Sequence, residues 1–218
     1  MTTPRKLEQN DVERMQIPPR YWNSQIEKVE AMVEAHGMPV RPLSGVLETY
    51  VEQIDEQLDA GNGIVLYGNN GRGKTAALVW LGMQIRRRGY SVLYVETAKL
   101  KDIKIQKVPF STEETLWERL MTVDVLVLDD LGKGVSDSKG FMQELVDEII
   151  RTRGAHLRTT LISSNVDPAK LMTDDFLKKS TLAMMQETVA FLHVVGEDIR
   201  RRARMALVNK LVGESDGD

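Results

Sequence analysis

The residues best suited to chemistry in this chain of 218 residues form a glycine-rich run that ends in a lysine and a threonine. The run reads Gly-Asn-Asn-Gly-Arg-Gly-Lys-Thr from Gly68 to Thr75 and matches the phosphate-loop pattern G-x-x-x-x-G-K-[ST]. Glycines allow a tight turn whose backbone N–H groups face phosphate oxygens. We expect Lys74 to reach the β- and γ-phosphates and the Thr75 hydroxyl to hold Mg²⁺. The predicted ATP contacts are Gly68, Asn69, Asn70, Gly71, Arg72, Gly73, Lys74, Thr75 and Ala76.

Two adjacent carboxylates, Asp129 and Asp130, follow an apolar run at residues 123–128 that is typical of a buried strand. Open α/β sheets bind ligands at the carboxyl ends of their strands, so these side chains should lie beside the phosphate loop. We expect Asp129 to bind Mg²⁺ through water and Asp130 to polarise the water that attacks the γ-phosphate. Without the phosphate loop, the same residues would indicate only a surface turn. With it, they predict an ATPase.

The elements that position these residues follow a regular alternation of strands and helices. Apolar runs predict strands at residues 63–67, 91–96, 123–128, 159–165 and 190–195. Helices are predicted at about 23–36, 43–58, 75–88 and 138–153, after Asp167-Pro168, and from about residue 197. This alternation predicts an α/β fold of three layers, in which a five-stranded parallel sheet is covered by helices on both faces.

Composition limits the class of protein. The formal net charge is −3, and the lack of cysteine excludes disulfides and cysteine-based zinc sites. No apolar run approaches the ~20 residues that span a bilayer. The first eight residues have no apolar core, so we expect a cytoplasmic protein without membrane contact. We divide the chain into a short N-terminal arm at 1–16, an ATPase domain at 17–212 and an acidic tail at 213–218 that we expect to be disordered.

Several short motifs, taken together and in order, resemble the AAA+ core of the DnaC-type helicase loaders and the related IstB-type transposition helpers. They are Ile-Pro-Pro-Arg-Tyr-Trp at 17–22, Tyr-Val-Glu at 50–52, Leu-Tyr-Gly at 66–68, Val-Glu-Thr-Ala-Lys-Leu at 95–100, Leu-Asp-Asp-Leu-Gly at 128–132, Ile-Ile at 149–150 with Arg153, Thr-Leu-Ile-Ser-Ser-Asn at 160–165 and Gly-Glu-Asp-Ile-Arg at 196–200. The resemblance covers residues 17 to about 200. It implies a P-loop NTPase fold of the AAA+/ASCE type with a reduced or absent lid domain.

The resemblance also implies two catalytic residues beyond Lys74 and Asp130. Asn165 is similar to the sensor 1 residue, which positions the attacking water or the γ-phosphate. Arg200 is similar to the sensor 2 arginine, which contacts the γ-phosphate. Two plainer interpretations stay open, with Asn165 as a turn residue and Arg200 as part of a solvated basic face.

The chain departs from the family where members usually carry an arginine pair, one of which acts on the ATP of a neighbouring subunit. Residues 178–187 contain no arginine, which leaves Lys178, Lys179 or the more distant Arg153 as candidates for that role. Lysine cannot make the planar, two-pronged contact of arginine. Only about sixteen residues precede Ile17, so we expect partner binding to use that arm or another surface.

Basic residues cluster between the second predicted strand and Asp129. In the loader family this region faces single-stranded DNA, so the resemblance implies phosphate contacts that weaken as the salt concentration rises. A solvated basic loop is the alternative. We interpret the arginines at 86–88 as structural, because the dipole at the end of a helix favours positive charge. The DNA-binding candidates are Lys99, Lys101, Lys104 and Lys107.

These observations predict a DNA-associated ATPase, in the first place a replicative helicase loader. We expect it to assemble with ATP and Mg²⁺ on single-stranded DNA, to associate with further copies of itself and to deliver a replicative helicase. Two alternatives stay open. One is an IstB-like transposition helper that binds duplex DNA, and the other is an ATP-gated protein adaptor without DNA contact.

Overall fold

The computed structural model describes residues 5–35, 37–106, 114–132, 140–173 and 177–212. The helices are α1 (Gln9–Arg14), α2 (Leu43–Glu52), α3 (Ile54–Asp59), α4 (Lys74–Arg87), α5 (Leu100–Ile105), α6 (Leu116–Thr122), α7 (Phe141–Ala155), α8 (Pro168–Thr173), α9 (Lys179–Thr188) and α10 (Ile199–Val212). The strands are β1 (Met32–Glu34), β2 (Arg41–Pro42), β3 (Gly63–Tyr67), β4 (Val92–Glu96), β5 (Val125–Leu131), β6 (Thr159–Ser164) and β7 (Val189–Val195).

All seven strands form one sheet in the order β2-β1-β7-β3-β6-β5-β4. The five strands from β7 to β4 are parallel, which confirms the predicted parallel sheet. Two short antiparallel strands, β1 and β2, extend it beside β7 and were not predicted. Because β6 lies between β3 and β5, the end of β6 separates the phosphate loop from the acidic pair.

Helices cover both faces of the sheet, as the sequence predicts. On one face, α2, α4 and the N-terminal segment (residues 5–35) pack around a core that includes Leu47, Leu78 and Val127. On the other face, α5, α6, α7 and α9 pack around a second core that includes Leu126, Ile149 and Leu182. The central strands are buried on both faces, which explains their near-continuous Val and Leu content.

The helix predicted at residues 23–36 is wrong. The chain there forms a short 3₁₀ turn at Ile26–Lys28, followed by β1. Val29, Ala31 and Val33 are buried while the residues between them are exposed, and this alternation has the period of a strand. The predicted helix at 43–58 is two helices, because the backbone of Gln53 departs from helical angles (φ −102°, ψ 20°).

The N-terminal segment packs against the sheet. Val12 and Met15 are buried in the core, and the Tyr94 N–H donates to the carbonyl of Met15 at 2.8 Å. Arg86 donates to the Asp11 carboxylate at 3.0 Å, so it has the structural role that was predicted for it. Within the described ranges, no helix is both long and apolar enough to cross a membrane.

Candidate nucleotide-binding site

The predicted ATP-binding residues from Asn70 to Ala76 line a cavity of about 420 Å³ at the carboxyl edge of the sheet, whereas Gly68 and Asn69 do not line it. The phosphate loop, between β3 and α4, forms one wall. The ends of β5 and β6 form the floor, and the first turn of α10 closes one side. The predicted site residues that line the cavity are Asn70, Gly71, Arg72, Gly73, Lys74, Thr75, Ala76, Asp129, Asp130, Asn165 and Arg200.

Two glycines of the loop allow the chain to pass close to its neighbours. Gly71 and Gly73 have φ values of +78° and +81°, in the left-handed region that favours glycine. A Cβ atom on Gly71 would overlap the carboxylate of Asp198, and one on Gly73 would lie 2.6 Å from the Val29 side chain. The glycine spacing therefore fits the loop between the N-terminal segment and the start of α10.

Lys74 is buried, and its ammonium group is held by three acceptors. It donates to the carbonyl oxygens of Gly68 and Asn69 and to the Asn165 side-chain oxygen, each at 2.8 Å. The three contacts fix the ammonium group at the mouth of the loop.

Burial lowers the pKa of Lys74 from its ordinary value of 10.5 to about 8. The carboxylates of Asp130 and Asp129 act in the opposite direction and favour the charged amine, whereas the positive charges of Arg200 and Arg72 disfavour it. The site thus holds a cation whose charge becomes sensitive to pH just above neutrality.

Asp129 is buried, and hydroxyl groups on three elements hold its carboxylate. Oδ1 accepts from the Thr75 hydroxyl at 2.8 Å and from the Ser163 hydroxyl, and Oδ2 accepts from the Tyr94 hydroxyl at 2.7 Å. Burial and the adjacent charge of Asp129 raise the pKa of Tyr94, so its hydroxyl remains a donor. The orientation of Asp129 is therefore set by contacts from α4, β6 and β4.

Asp130 has a different backbone from its neighbour. Its φ is +61°, which is uncommon for a residue other than glycine, and the β5–β6 register shifts between Leu128 and Leu131. Such irregularities redirect side chains at the ends of strands and often occur at functional sites. The Asp130 carboxylate accepts from the Asn165 side-chain amide at 2.5 Å.

Asn165 joins the two predicted catalytic groups. Its side-chain oxygen accepts from Lys74 and its nitrogen donates to Asp130, so one amide bridges the cation and the carboxylate. A plain turn residue would not need this position. The bridge exists because β6 runs between β3 and β5.

Arg200 is exposed at the edge of the cavity, in the first turn of α10. The Ile199 N–H donates to the Gly71 carbonyl at 2.9 Å, which attaches the helix to the phosphate loop. The side chain of Arg200 thus lies on the solvent side of the site, and its charge acts on Lys74.

Sequence reasoning missed a whole wall of the cavity and two hydroxyl groups that donate to Asp129. The wall comes from the N-terminal segment, whose 17–22 motif was noted only as part of the resemblance. The only signal for Ser163 and Tyr94 was their position within the predicted strands at 159–165 and 91–96. The residues missed are Arg20, Tyr21, Asn23, Ser24, Gln25, Lys28, Val29, Tyr94 and Ser163.

The Thr75 and Asp129 side chains present hydroxyl and carboxylate oxygens, which are ligand types that Mg²⁺ accepts. Among the described residues, no group of three or more His, Cys, Asp or Glu side chains is arranged to hold a metal. Mg²⁺ at this position would therefore take its other ligands from phosphate and water, as it usually does.

The predicted DNA-binding lysines do not share one environment. Lys104 lies 2.8 Å from the Glu148 carboxylate and 4.0 Å from the centre of the Trp117 ring. Lys99 lies 3.4 Å from Glu96, and Lys101 is exposed. Lys107 and the tail at 213–218 are outside the described residues. Of the three described lysines, two are partly neutralised by the chain itself.

The hypothesis that Arg153 acts on a neighbouring subunit is wrong. Its side chain is fully buried and donates to the carbonyls of Leu120 and Val123, both at 2.9 Å, and to that of Thr159 at 2.6 Å. Lys178 is paired with Glu144 at 2.7 Å. Arg153 thus holds the amino ends of two strands together and cannot reach another molecule.

Comparisons with known proteins identify similar ATP-binding proteins. A family model described as IstB-like ATP binding protein matches residues 52–206. A protein of insertion sequence IS1162 from Pseudomonas fluorescens is 36% identical over 104 residues, which cover 46% of this chain and 45% of that protein. The replicative helicase loader DnaI of Bacillus subtilis is 30% identical over 112 residues, which cover 51% of this chain and 35% of the loader. The matched region is thus less than half of each relative.

The fold is also that of a solved helicase loader. The crystal structure of the DnaC helicase loader matches with a TM-score of 0.64 and 22% identity, over 82% of this chain and all of that chain. At this identity the likeness concerns the fold alone. The resemblance drawn from the sequence motifs is confirmed, and the chain belongs to the family of IstB-like ATP-binding proteins, which are of the AAA+ type.

Proposed function

We propose that this chain hydrolyses ATP with Mg²⁺ and that it uses the reaction to control its association with DNA. One observation carries the proposal: the Thr75–Asp129 pair and the Lys74–Asn165–Asp130 chain of contacts converge on one cavity. A glycine-rich turn with a purely structural role would not require both of these sets of side-chain contacts.

ATP binding would exchange the partners of the loop. The triphosphate accepts from the backbone N–H groups of the loop and from the start of α4, whose positive end favours an anion. Lys74 then donates to the β- and γ-phosphate oxygens in place of the carbonyls of Gly68 and Asn69. The N-terminal wall, which includes Tyr21 and Asn23, is placed to contact the rest of the nucleotide.

Thr75 and Asp129 would hold Mg²⁺ on the phosphate side of the site. When bound, the ion neutralises negative charge on the β- and γ-phosphate oxygens. The hydroxyl groups of Tyr94 and Ser163 keep the Asp129 carboxylate in the orientation that this contact needs.

Hydrolysis would use Asp130 and Asn165. Asp130 accepts a proton from the attacking water, whose oxygen bonds to the γ-phosphorus while the bond to the bridging oxygen of ADP breaks. Asn165 positions that water or the γ-phosphate once Lys74 has moved to the phosphates. Arg200 reaches the γ-phosphate from α10 and stabilises the developing charge.

We propose a helicase-loader role as the first candidate. In this role the protein assembles with ATP on single-stranded DNA, through basic surfaces that include Lys101, and delivers a replicative helicase. The loader fold over most of the chain and the 30% identity to a named helicase loader support it.

A transposition-helper role is the second candidate, and a different observation favours it. The family model and the relative with 36% identity both come from insertion-sequence proteins. In this role the protein assembles on duplex DNA and recruits a recombinase.

One experiment tests the ATPase and separates the two roles. ATP turnover is measured with no DNA, with single-stranded DNA and with duplex DNA, and the mass of the assemblies is recorded in parallel. Stimulation and assembly on single strands support the loader role, and a preference for duplex supports the helper role. No turnover under any condition would overturn the ATPase proposal. An ATP turnover rate that DNA does not change would support a nucleotide-gated protein adaptor.

A further inference from the structure

α10 projects from the body of the protein into solvent. Every residue from Ala203 to Val212 is exposed, and Leu211 and Val212 are 75% and 74% exposed. A free helix of 14 residues is only marginally stable in water. Grouped apolar side chains on a surface mark an interaction site. α10 therefore needs a surface to pack against.

The chemistry of α10 describes that surface. Arg201, Arg204, Val208 and Leu211 are three or four residues apart and so lie on one side of the helix. This side is positively charged near its start and apolar near its end. The whole helix has no acidic residue and five basic ones, which are Arg200, Arg201, Arg202, Arg204 and Lys210. A matching surface must combine negative charge with an apolar region.

Such a surface exists on α2 and α3 of the same chain. Residues 43–62 have no basic residue and five acidic ones, all exposed, which we call the acidic stripe: Glu48, Glu52, Asp55, Glu56 and Asp59. Within the described ranges, the ion pairs of the chain include neither the acidic stripe nor Arg201 and Arg204. Both charged surfaces thus lack a partner of opposite charge there.

A groove of about 370 Å³ with a mixed polar and apolar lining lies next to Glu52 and Glu56 of the acidic stripe, since their chain neighbours Gln53 and Gln57 line it. It lies between α2–α3 and β7. At about 1.5 Å per residue, α10 is roughly 21 Å long and the acidic stripe roughly 17 Å, so the two surfaces have similar lengths. The apolar residues that line the groove include Val46, Tyr50, Ile64, Val189 and Leu192.

We propose that α10 of one copy of this chain docks on the acidic stripe and groove of a second copy. The start of α10 is attached to Gly71 at the carboxyl edge of the sheet, whereas the groove reaches Gly63 and Val189 at the amino ends of β3 and β7. Since the two surfaces differ, the contact is head-to-tail and can repeat from copy to copy. This inference rests on the self-assembly included in the proposed function.

The same geometry would make the contact respond to ATP. Arg200 lines the nucleotide cavity and belongs to the first turn of α10. A γ-phosphate that binds Arg200 would fix the direction of the helix, and with it the position of Arg201 and Arg204. Nucleic acid is a weaker match for α10, because phosphates would neutralise its arginines but leave Leu207 and Leu211 in water.

Charge reversal in the full chain tests this docking. One variant carries Arg201→Glu and Arg204→Glu, and another carries Glu52→Arg and Glu56→Arg. Each should self-associate roughly tenfold more weakly than the wild type by sedimentation or mass photometry with ATP, because attraction becomes repulsion. An equimolar mixture of the two variants should recover the assembly. The acidic α10 of the first variant then faces the basic stripe of the second, and the basic α10 of the second faces the acidic stripe of the first.

A double reversal at Lys6→Glu and Arg41→Glu is the matched control, because both side chains are exposed and lie outside α10, the acidic stripe and the cavity. It should assemble like the wild type. Unchanged assembly in both test variants, or no recovery in the mixture, would overturn the docking. So would an α10 variant that loses DNA binding but self-associates normally.

Nucleotide affinity measured on the same samples separates this inference from the proposed function. If the wild type does not bind ATP, the proposed function fails, and the docking is judged from assembly without nucleotide. If the wild type binds ATP but stays monomeric at every concentration, the docking and the self-assembly are overturned, while the nucleotide-binding part of the proposed function stands.

Discussion

The inner and outer halves of the nucleotide site are built differently. On the inner half, Lys74 and Asp129 are buried, and three groups of the chain hold each of their polar ends. On the outer half, Asp130 has a left-handed backbone and Arg200 faces solvent. The half that would hold phosphate and Mg²⁺ is thus preorganised.

The geometry of the outer half, which would perform hydrolysis, depends on the ligand that binds next to it. Asn165 connects the two halves, since it contacts both Lys74 and Asp130. Withdrawal of Lys74 towards a phosphate would release one side of this amide. This difference between the two halves indicates that mutations can separate ATP binding from ATP turnover.

The largest effect is expected from Lys74→Ala, which removes the buried cation of the inner half. Loss of a charge-assisted contact to phosphate should weaken ATP binding on the order of a thousandfold. Isothermal titration with ATP measures the affinity, and the melting temperature shows whether the fold is intact. A folded variant with wild-type affinity would remove the phosphate-loop assignment.

Asp130→Asn should separate the halves most clearly. The amide keeps the shape of the side chain but cannot accept the proton, so turnover should fall about a hundredfold or more while ATP affinity is kept. Single-turnover kinetics at saturating ATP provide the rate. An unchanged rate would place the base elsewhere, and a parallel loss of affinity would mean that the two halves are not independent.

ATP affinity should fall as the pH rises above about 8, the pKa to which burial brings Lys74. A lowered pKa means that the amine loses its charge earlier than an ordinary lysine, and the anionic ligand needs the charged form. Affinity should therefore decrease by about fifteenfold between pH 8 and 9.5, since half of the amine is already neutral at pH 8. Lys74→Arg, which stays charged, is the control and should show a flat profile. A flat profile for the wild type would contradict the assignment.

Tyr94→Phe should weaken Mg²⁺ binding at the inner half without abolishing it. It removes one donor to Asp129 and should raise the Mg²⁺ concentration for half-maximal turnover about tenfold, with recovery of the rate at high Mg²⁺. Tyr50→Phe is the matched control, because that buried tyrosine donates instead to the Asn62 carbonyl at 2.7 Å. Equal Mg²⁺ dependence in the two variants would show that Tyr94 serves packing alone.

The smallest effect concerns the basic segment, where paired and unpaired charges again lie side by side. Lys101→Ala should lower the slope of DNA affinity against salt concentration, on logarithmic axes, by about 0.7 for single strands. Lys104→Ala should leave that slope unchanged, because Glu148 already neutralises Lys104. Equal slopes for both variants and the wild type would show that the DNA-binding surface lies outside this segment.

Much of the fold follows from local patterns in the sequence. The Val- and Leu-rich runs predict the parallel strands, because a strand buried on both faces must be apolar throughout. The region before β3 was predicted less well. Its alternation at Val29, Ala31 and Val33 is short, and β1 pairs with β7, a strand far along the chain, as well as with β2.

The candidate site shows the same division. Gly68 to Thr75 and the acidic pair could be assigned from residue type and spacing, since each motif is continuous in the chain. The contribution of Tyr94 could not, because 35 residues separate it from Asp129. Arg153 was misjudged for a similar reason, since only packing shows that its charge is enclosed by backbone carbonyls.

The sequence by itself determined that this chain carries a phosphate loop, a pair of carboxylates after a buried strand and an alternating α/β fold. These features depend on neighbours in the chain and on the period of strands and helices. Only the tertiary structure decided that β6 lies between β3 and β5, so that Asn165 contacts Lys74 across 91 residues. It also decided that the N-terminal segment closes the cavity and that α10 stands free, because strand order and packing depend on contacts between distant segments.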